Sequence, residues 1–267
     1  MGYLFGADKW SWLLQWSNLK FLLEAFLVNI EIALIAMTFS LIFGLLLALG
    51  RVSKNPFVSI PAGLWVDVWR NLPLIFILLY LSLSLPESWN ARYEDLVPGF
   101  LPEAFQSGRV LAGIIGLTLY NSAVIAEIMR AGIQSLERGQ GEAAGALGLP
   151  YWKSMRLIIL PQGLRRMVPA TVSQLITLNK DTTLVSIIAI QDVMRHGRIL
   201  SSCFTCDPQP PLLQVFLVVG AMFILVNLLL SRLSRRLEIK QRERTGTEVE
   251  TVSGLEDQVA AAADVTK

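Results

Sequence analysis

The stretch Gln140-Gly141-Glu142-Ala143-Ala144-Gly145-Ala146-Leu147-Gly148-Leu149-Pro150, running on to Ile158-Ile159-Leu160-Pro161-Gln162, decides how this chain is read. It lies between two long apolar segments. It carries Lys153 and Arg156, so it is not itself a membrane span. Glu142, Ala143 and Ala144 favour helix and start a short one. Gly148 permits a positive φ and a sharp change of direction. Pro150 suits the first turn of a second short helix, where no N–H is needed. Pro161 is expected to stop or kink that helix. The product is a compact helical elbow exposed on one face of a membrane.

Composition agrees with a membrane setting. Of the 267 residues, 53% are hydrophobic and 16% charged, and mean hydropathy is +0.52. Soluble domains carry about 25% charged residues. A net charge of +2, without a basic patch interleaved with aromatics, points to no nucleic-acid partner. The first apolar block, Phe21 to Gly50, is far longer than a signal-peptide core, so it is expected to remain as an anchor.

Working outward, five apolar segments emerge: roughly Ala25–Gly50, Leu64–Leu85, Val110–Gln134, Val168–Ile190 and Leu212–Leu233. Each is long enough to cross a hydrocarbon core of about 30 Å. Glu24, Asn29 and Glu31 give the first a polar end, which should face the bundle or outside water. Pro73 is expected to kink the second and free a carbonyl. Pro86 to Gly108 reads as an interfacial cap. Trp10, Trp12 and Trp16 mark either a short interfacial helix or a buried aromatic stripe. Cys203 and Cys206 admit a disulfide, a metal site or two plain thiols. The metal reading lacks the usual four ligands.

Orientation follows lysine and arginine. One set of loops carries Arg51, Lys54, Arg138, Lys153, Arg156, Arg165, Arg166 and a cluster from Arg232 to Arg244. The other carries Lys9, Lys20, Arg92, Arg109, Arg195 and Arg198. The richer set is expected to be cytoplasmic, which leaves the N-terminus outside.

The spacing Glu142-Ala143-Ala144, three residues, Gly148, nine residues, Ile158-x-Leu160-Pro161 resembles the EAA loop of permease subunits of bacterial ABC importers. Ala126-Glu127-Ile128-Met129-Arg130-Ala131-Gly132-Ile133 before it and Lys180-Asp181-Thr182-Thr183-Leu184 after it resemble the polar amino-acid branch. Trp69-Arg70-Asn71-Leu72-Pro73-Leu74 is similar to that branch's Arg-Gly/Asn-Thr-Pro-Leu box, with Leu72 in place of Thr. The likeness covers roughly residues 20 to 237.

This resemblance implies an all-α membrane protein of the type I, MetI-like permease fold, with five transmembrane helices, N-terminus outside and C-terminus cytoplasmic. Residues 1–20 are then an interfacial segment. Residues 21–237 form the permease domain, with its coupling loop at about 135–165. Residues 238–267 are a tail, basic and then disordered. The implied function is ATP-driven import of a polar amino acid, such as glutamate, glutamine or a basic amino acid, across the inner membrane by alternating access. Glu142, Ala143, Ala144, Leu147, Gly148, Leu149 and Pro161 would dock on a separate ATPase. Implied partners are two ATPase subunits, a second permease copy or homologue, an extracytoplasmic substrate-binding protein and the lipid bilayer. ATP and magnesium would bind the ATPase, and no cofactor this chain.

The residues themselves show no enzyme constellation. No lysine follows a glycine, so there is no phosphate-binding loop of the Gly-Lys-Ser/Thr kind. Gly139-x-Gly141 followed by Gly145 misses the dinucleotide spacing by one residue. The informative groups are ionisable ones inside spans, which cost about 2.5–3.5 kcal/mol at mid-membrane. Asn179-Lys180-Asp181-Thr182-Thr183 suits a broken helix lining a cavity, or a structural polar network between helices. Asn121, Ser122, Lys180, Asp181, Thr182, Thr183 and Glu31 are the candidate pathway residues. Glu127 and Arg130 share a helix face and, with Arg70 and Pro73, are candidate gate or anchor residues. A stand-alone channel or ion-coupled carrier is the alternative. Such carriers often show paired internal repeats, and no convincing repeat is present.

Overall fold

The computed structural model describes residues 7–99, 101–136, 138–202 and 212–245, and among these there is no strand. Helix α1 (Ala7–Leu13) leads into α2 (Trp16–Arg51), then α3 (Pro56–Asn71), α4 (Leu74–Ser84), α5 (Glu87–Leu96) and α6 (Arg109–Gln134). The elbow follows as α7 (Arg138–Ala146) and α8 (Tyr151–Ser154). Then come α9 (Leu160–Asp181), α10 (Val193–Ser201) and α11 (Leu212–Thr245).

The long helix α2 has no breaker between Trp16 and Arg51, so it starts earlier than the apolar segment alone suggests. At 1.5 Å per residue it is about 54 Å long. It packs along α6, and Gly44 permits the approach: a Cβ there would stand 2.6 Å from Ile125 Cγ2 and 3.0 Å from the Ser122 carbonyl. Small residues serve this purpose between membrane helices, where packing rather than water exclusion drives association. Ile32, Ala36, Leu117, Ile125 and Leu178 form the main core. A second cluster joins Leu13, Leu22 and Phe26 to Val215 and Val219. The three N-terminal tryptophans therefore divide, two on α1 and one at the start of α2. Trp10 and Trp12 pack on this second cluster, whereas Trp16 is exposed.

Three helices are long and apolar enough to cross a membrane: α2, α6 and Leu212–Gln241 of α11. The pair α3 and α4 makes a fourth only as a broken span, bent by 99°. Pro73 causes the break. The residue before a proline is driven out of the helical region, and Leu72 sits at φ −82°, ψ 134°. Pro73 then caps α4. The expected kink is thus a full corner.

The fourth expected segment, roughly Val168–Ile190, is not among the long apolar helices of the described residues. Helix α9 carries polar groups along one side, and they find partners in other helices. Gln174 Nε2 donates to Asn121 Oδ1 at 2.8 Å, Asn179 Nδ2 to Asn227 Oδ1 at 3.1 Å, and Ser173 and Ser234 share a bond of 3.2 Å. The expected break at Asn179–Thr183 takes a milder form: the α-helix ends inside the run, at Asp181, and the chain tightens into a 3₁₀ stretch, Thr182–Ile188, without unwinding. Nor does the chain stop at Pro161. A π-helical turn, Met155–Ile159, precedes α9, and Pro161 occupies the first turn of α9. There the missing N–H costs little.

Helices α2, α6 and α11 run parallel, and α9 runs against them. The elbow end gathers Arg51, Glu127, Ser135, Arg166 and Gln241. The opposite end gathers Asn29, Thr182 and Asp192. The expected interfacial cap takes form as α5 and a 3₁₀ turn, Glu103–Gln106, with the Gly108 N–H donating to Glu94 Oε1 at 2.7 Å. Helix α11 continues to Thr245, past the tail boundary expected at 238. Cys203, Cys206 and residues 246–267 lie outside the described residues.

Candidate functional site: the elbow and the polar groups behind it

The elbow is built by backbone bonds that its sequence dictates. Gly148 holds φ +73° with open space around it, so conformation and not room requires glycine there. Its N–H donates to the Gly145 carbonyl at 2.9 Å, and the Leu149 N–H reaches back to the Ala144 carbonyl at 3.1 Å. This pair of bonds closes a helix by the Schellman arrangement, which needs a left-handed residue at that position. Pro150 is the cap of α8, one residue earlier than expected, with ψ 151°. Ser154 is buried and its hydroxyl donates to the Pro150 carbonyl at 3.3 Å.

Tyr151 fastens the elbow to the body. Its hydroxyl donates to the Val52 carbonyl at 3.2 Å, and Lys54 Nζ lies 5.1 Å from its ring centre. Burial pushes the Tyr151 phenol above its ordinary pKa, so it stays a neutral donor. Ala144 faces inward, 1% exposed, while Glu142, Ala143 and Pro161 face out. Leu147 is 79% exposed, and Trp152 and Leu157 are exposed too. Tyr151 and Trp152 were not singled out from sequence. The signal was an aromatic pair between Pro150 and Lys153, in a loop otherwise read as polar.

Behind the elbow, Glu127 of α6 is the centre of a charged knot. It accepts from Arg51 Nη1 at 2.8 Å and from Arg130 on its own helix. Arg70 Nη1 stands 3.8 Å away, and Arg51 also pairs with Asp67 at 3.1 Å. The knot joins α2, α3 and α6 just below the corner made by Pro73. Arg51 and Asp67 are additions to the expected set, because their partners lie far along the chain.

The pathway candidates separate into two groups. Asn121 is fully buried; it donates to the Leu117 carbonyl at 2.9 Å and accepts from Gln174. Ser122 is buried and donates to the Leu119 carbonyl. Thr182 is fully buried, accepts from Asn29 at 3.0 Å and donates to the Asn179 carbonyl at 2.7 Å. Asn121 and Thr182 are thus occupied in joining helices, whereas the Ser122 bond stays within α6. Lys180 is exposed, and Asp181 and Thr183 are half-buried. Glu31 lines a cleft of about 970 Å³ at the end opposite the elbow, with Glu24, Glu103 and His196. Asn29, not among the expected site residues, is a hub: it also donates to Asp192 Oδ2 at 3.4 Å and accepts the Val193 N–H at 3.0 Å.

This arrangement has a family. The profile of the binding-protein-dependent transport system inner membrane component matches residues 40–243. The chain belongs to that family. The match takes in the charged knot, the elbow, α9 and nearly all of α11. The probable glutamine ABC transporter permease protein GlnP of Bacillus subtilis (strain 168) is 36% identical over 224 residues, covering 84% of this chain and 95% of that one. An amino acid ABC transporter solved with histidines superposes with a TM-score of 0.68 at 26% identity, over 84% of this chain and 95% of that one. The methionine ABC transporter MetNI, in an inward-facing conformation, superposes at 0.62 with 17% identity, over 84% and 99%. The last likeness speaks for fold alone. This permease is a multi-pass protein of the inner membrane, with the MetI-like helical fold.

Proposed function

We propose that this permease is the membrane subunit of an ATP-driven importer of a polar amino acid, with five spans, the elbow and C-terminus in the cytoplasm and the N-terminus outside. The elbow is its coupling helix. Glu142, Ala143, Leu147, Gly148, Leu149 and Pro161, with Trp152, meet a cognate ATPase subunit, and Ala144 seats the elbow on the body. Two ATPase subunits bind ATP and magnesium, a second permease completes the pathway, and an extracytoplasmic binding protein delivers substrate. Kinship with amino-acid permeases supports the substrate class.

The observation that carries this reading is the elbow's exposed apolar side chains, Leu147 and Trp152, on a turn shaped by Gly148 and anchored by Tyr151 to Val52. A surface so apolar beyond the bilayer needs a protein partner. The charged knot at Glu127 transmits its movement, since it ties α2 and α3 to α6, the helix that enters the elbow. Within the pathway, Lys180, Asp181, Thr183 and Glu31 face the substrate. Asn121 and Thr182 hold the helices that present them, and Ser122 is buried on α6 beside Asn121.

Reconstitution tests the reading. The permease, co-purified with its genome's amino-acid-importer ATPase and supplied with a binding protein, should accumulate labelled amino acid only when ATP and magnesium are inside with the ATPase. Accumulation driven by an ion gradient without ATP would assign it instead to the stand-alone carriers.

A further inference from the structure

A groove of about 440 Å³ opens at the elbow end between the start of α9 and the end of α11. Gln162, Arg165, Arg166 and Val168 form one wall; Leu237, Lys240 and Gln241 form the other. The walls are fixed to each other. Gln241 Nε2 donates to the Arg166 carbonyl at 3.2 Å, and Ser234 Oγ to the Pro169 carbonyl at 3.0 Å. Arg166 is held through Nη1 on the Ser135 carbonyl at 2.9 Å.

Three cations thus converge on one fixed cleft. Among the described residues no carboxylate lies within ion-pair distance of Arg165, Arg166 or Lys240. Nearby, Arg51, Arg70 and Arg130 gather instead on Glu127. Each wall also has an apolar residue, Val168 and Leu237. From Leu237 an apolar track runs back along α11, where Leu233, Leu229 and Leu225 follow at steps of four residues and are all exposed. Such steps place them on one face of the helix.

We propose that this groove binds the phosphodiester headgroup of an anionic membrane lipid. Arg165 and Lys240 contact the phosphate oxygens, Gln162 hydrogen-bonds the headgroup, and an acyl chain follows Leu237, Leu233 and Leu229. A basic pocket between helices at the membrane surface is the setting in which such headgroups are recognised. A guanidinium offers a planar fork that matches phosphate oxygens, and an ammonium adds a point charge. The apolar track favours a lipid over an acidic loop of a protein partner, which has no chain to lay along it. The inference rests on the inner-membrane assignment, not on the coupling role of the elbow.

The full chain is purified in detergent and titrated with phosphatidylglycerol or phosphatidylcholine, and retained lipid is counted by native mass spectrometry. Arg165→Gln and Lys240→Gln remove groove charges that make no ion pair among the described residues, and Arg232→Gln removes an exposed charge outside the groove. Each groove variant should weaken phosphatidylglycerol retention about five-fold and the double variant about twenty-five-fold. Arg232→Gln and all phosphatidylcholine titrations should be unchanged, and millimolar inorganic phosphate should not displace the lipid. Equal losses in Arg232→Gln would overturn the site, leaving only a general basic surface. Displacement by phosphate would make it a site for free anions. Unchanged retention in the double variant, with loss of ATPase binding, would assign the groove to a protein partner.

Discussion

Arg51, the last residue of α2, donates to Glu127 on α6 at 2.8 Å, joining two helices 76 residues apart in sequence. Arg130 and Arg70 complete the surroundings of that one carboxylate. Removing it leaves three arginines facing one another with only Asp67 nearby. Glu127→Gln should lower stability in detergent by about 1.5–3 kcal/mol, the range for hydrogen bonds to charged groups. Arg51→Gln combined with Glu127→Gln should cost less than the two single changes added. Strict additivity would mean that the knot holds nothing together.

At the other end, Asn29 and Asp192 make a prediction about pH. Burial pushes the Asp192 carboxyl above its ordinary value, against the N–H groups of Arg195 and Met194 and the Asn29 amide, which pull it down. A raised carboxyl favours the protonated native state. Its contribution is therefore fully present below the unfolded value of about 4 and lost as pH rises through the folded value. Asp192→Asn should flatten this decline and be no less stable than wild type at pH 7, since Asn also caps helices. Asn29→Ala should cost about 1–3 kcal/mol by stranding buried polar groups. Thermal unfolding from pH 4 to 7 measures both, and a steeper decline in Asp192→Asn would refute the assignment.

Adjacent threonines separate structure from pathway. Thr182 is buried against Asn29, and Thr183 is half-buried beside exposed Lys180. Thr182→Val should reduce folded yield. Thr183→Val and Lys180→Ala should leave yield and ATPase assembly near wild type while lowering uptake. Uptake and complex yield measured together decide this: proportional falls in all three variants would make the whole cluster structural.

Membrane orientation gives a further prediction. Lys153 and Ser88 are both exposed. In a cysteine-free background, Lys153→Cys should react with an impermeant maleimide only from the cytoplasmic side, and Ser88→Cys only from outside. The reverse pattern would invert the arrangement.

The elbow was legible because its demands are local. Gly148 takes a positive φ and Pro150 opens the next helix, so residue type reports backbone shape directly. A bend at Pro73 was readable for the same reason, though not its 99° size, and α6 was readable from its apolar length. The polar run Asn179–Thr183 was not. Five adjacent polar residues turn all round a helix, which reads as a break when partners are unknown. Its partners, Asn29 and Asn227, come from 153 and 48 residues away, and with them the chain passes from α-helix at Asp181 to a 3₁₀ stretch at Thr182 instead of unwinding. Arg51 was likewise read as loop charge, because nothing near it in sequence announces Glu127.

The central claim, that a rigid elbow couples the permease to ATP hydrolysis, is tested most directly at Gly148. Valine there would be held at φ +73°, at a cost of about 1–2 kcal/mol or more for an L-residue. Gly145→Ala is the matched control, since it sits in α7 with open space around it. In proteoliposomes carrying the assembled transporter, substrate-stimulated ATP hydrolysis and uptake should fall about tenfold for Gly148→Val, with membrane insertion retained, and stay near wild type for Gly145→Ala. Full uptake by Gly148→Val would contradict the account.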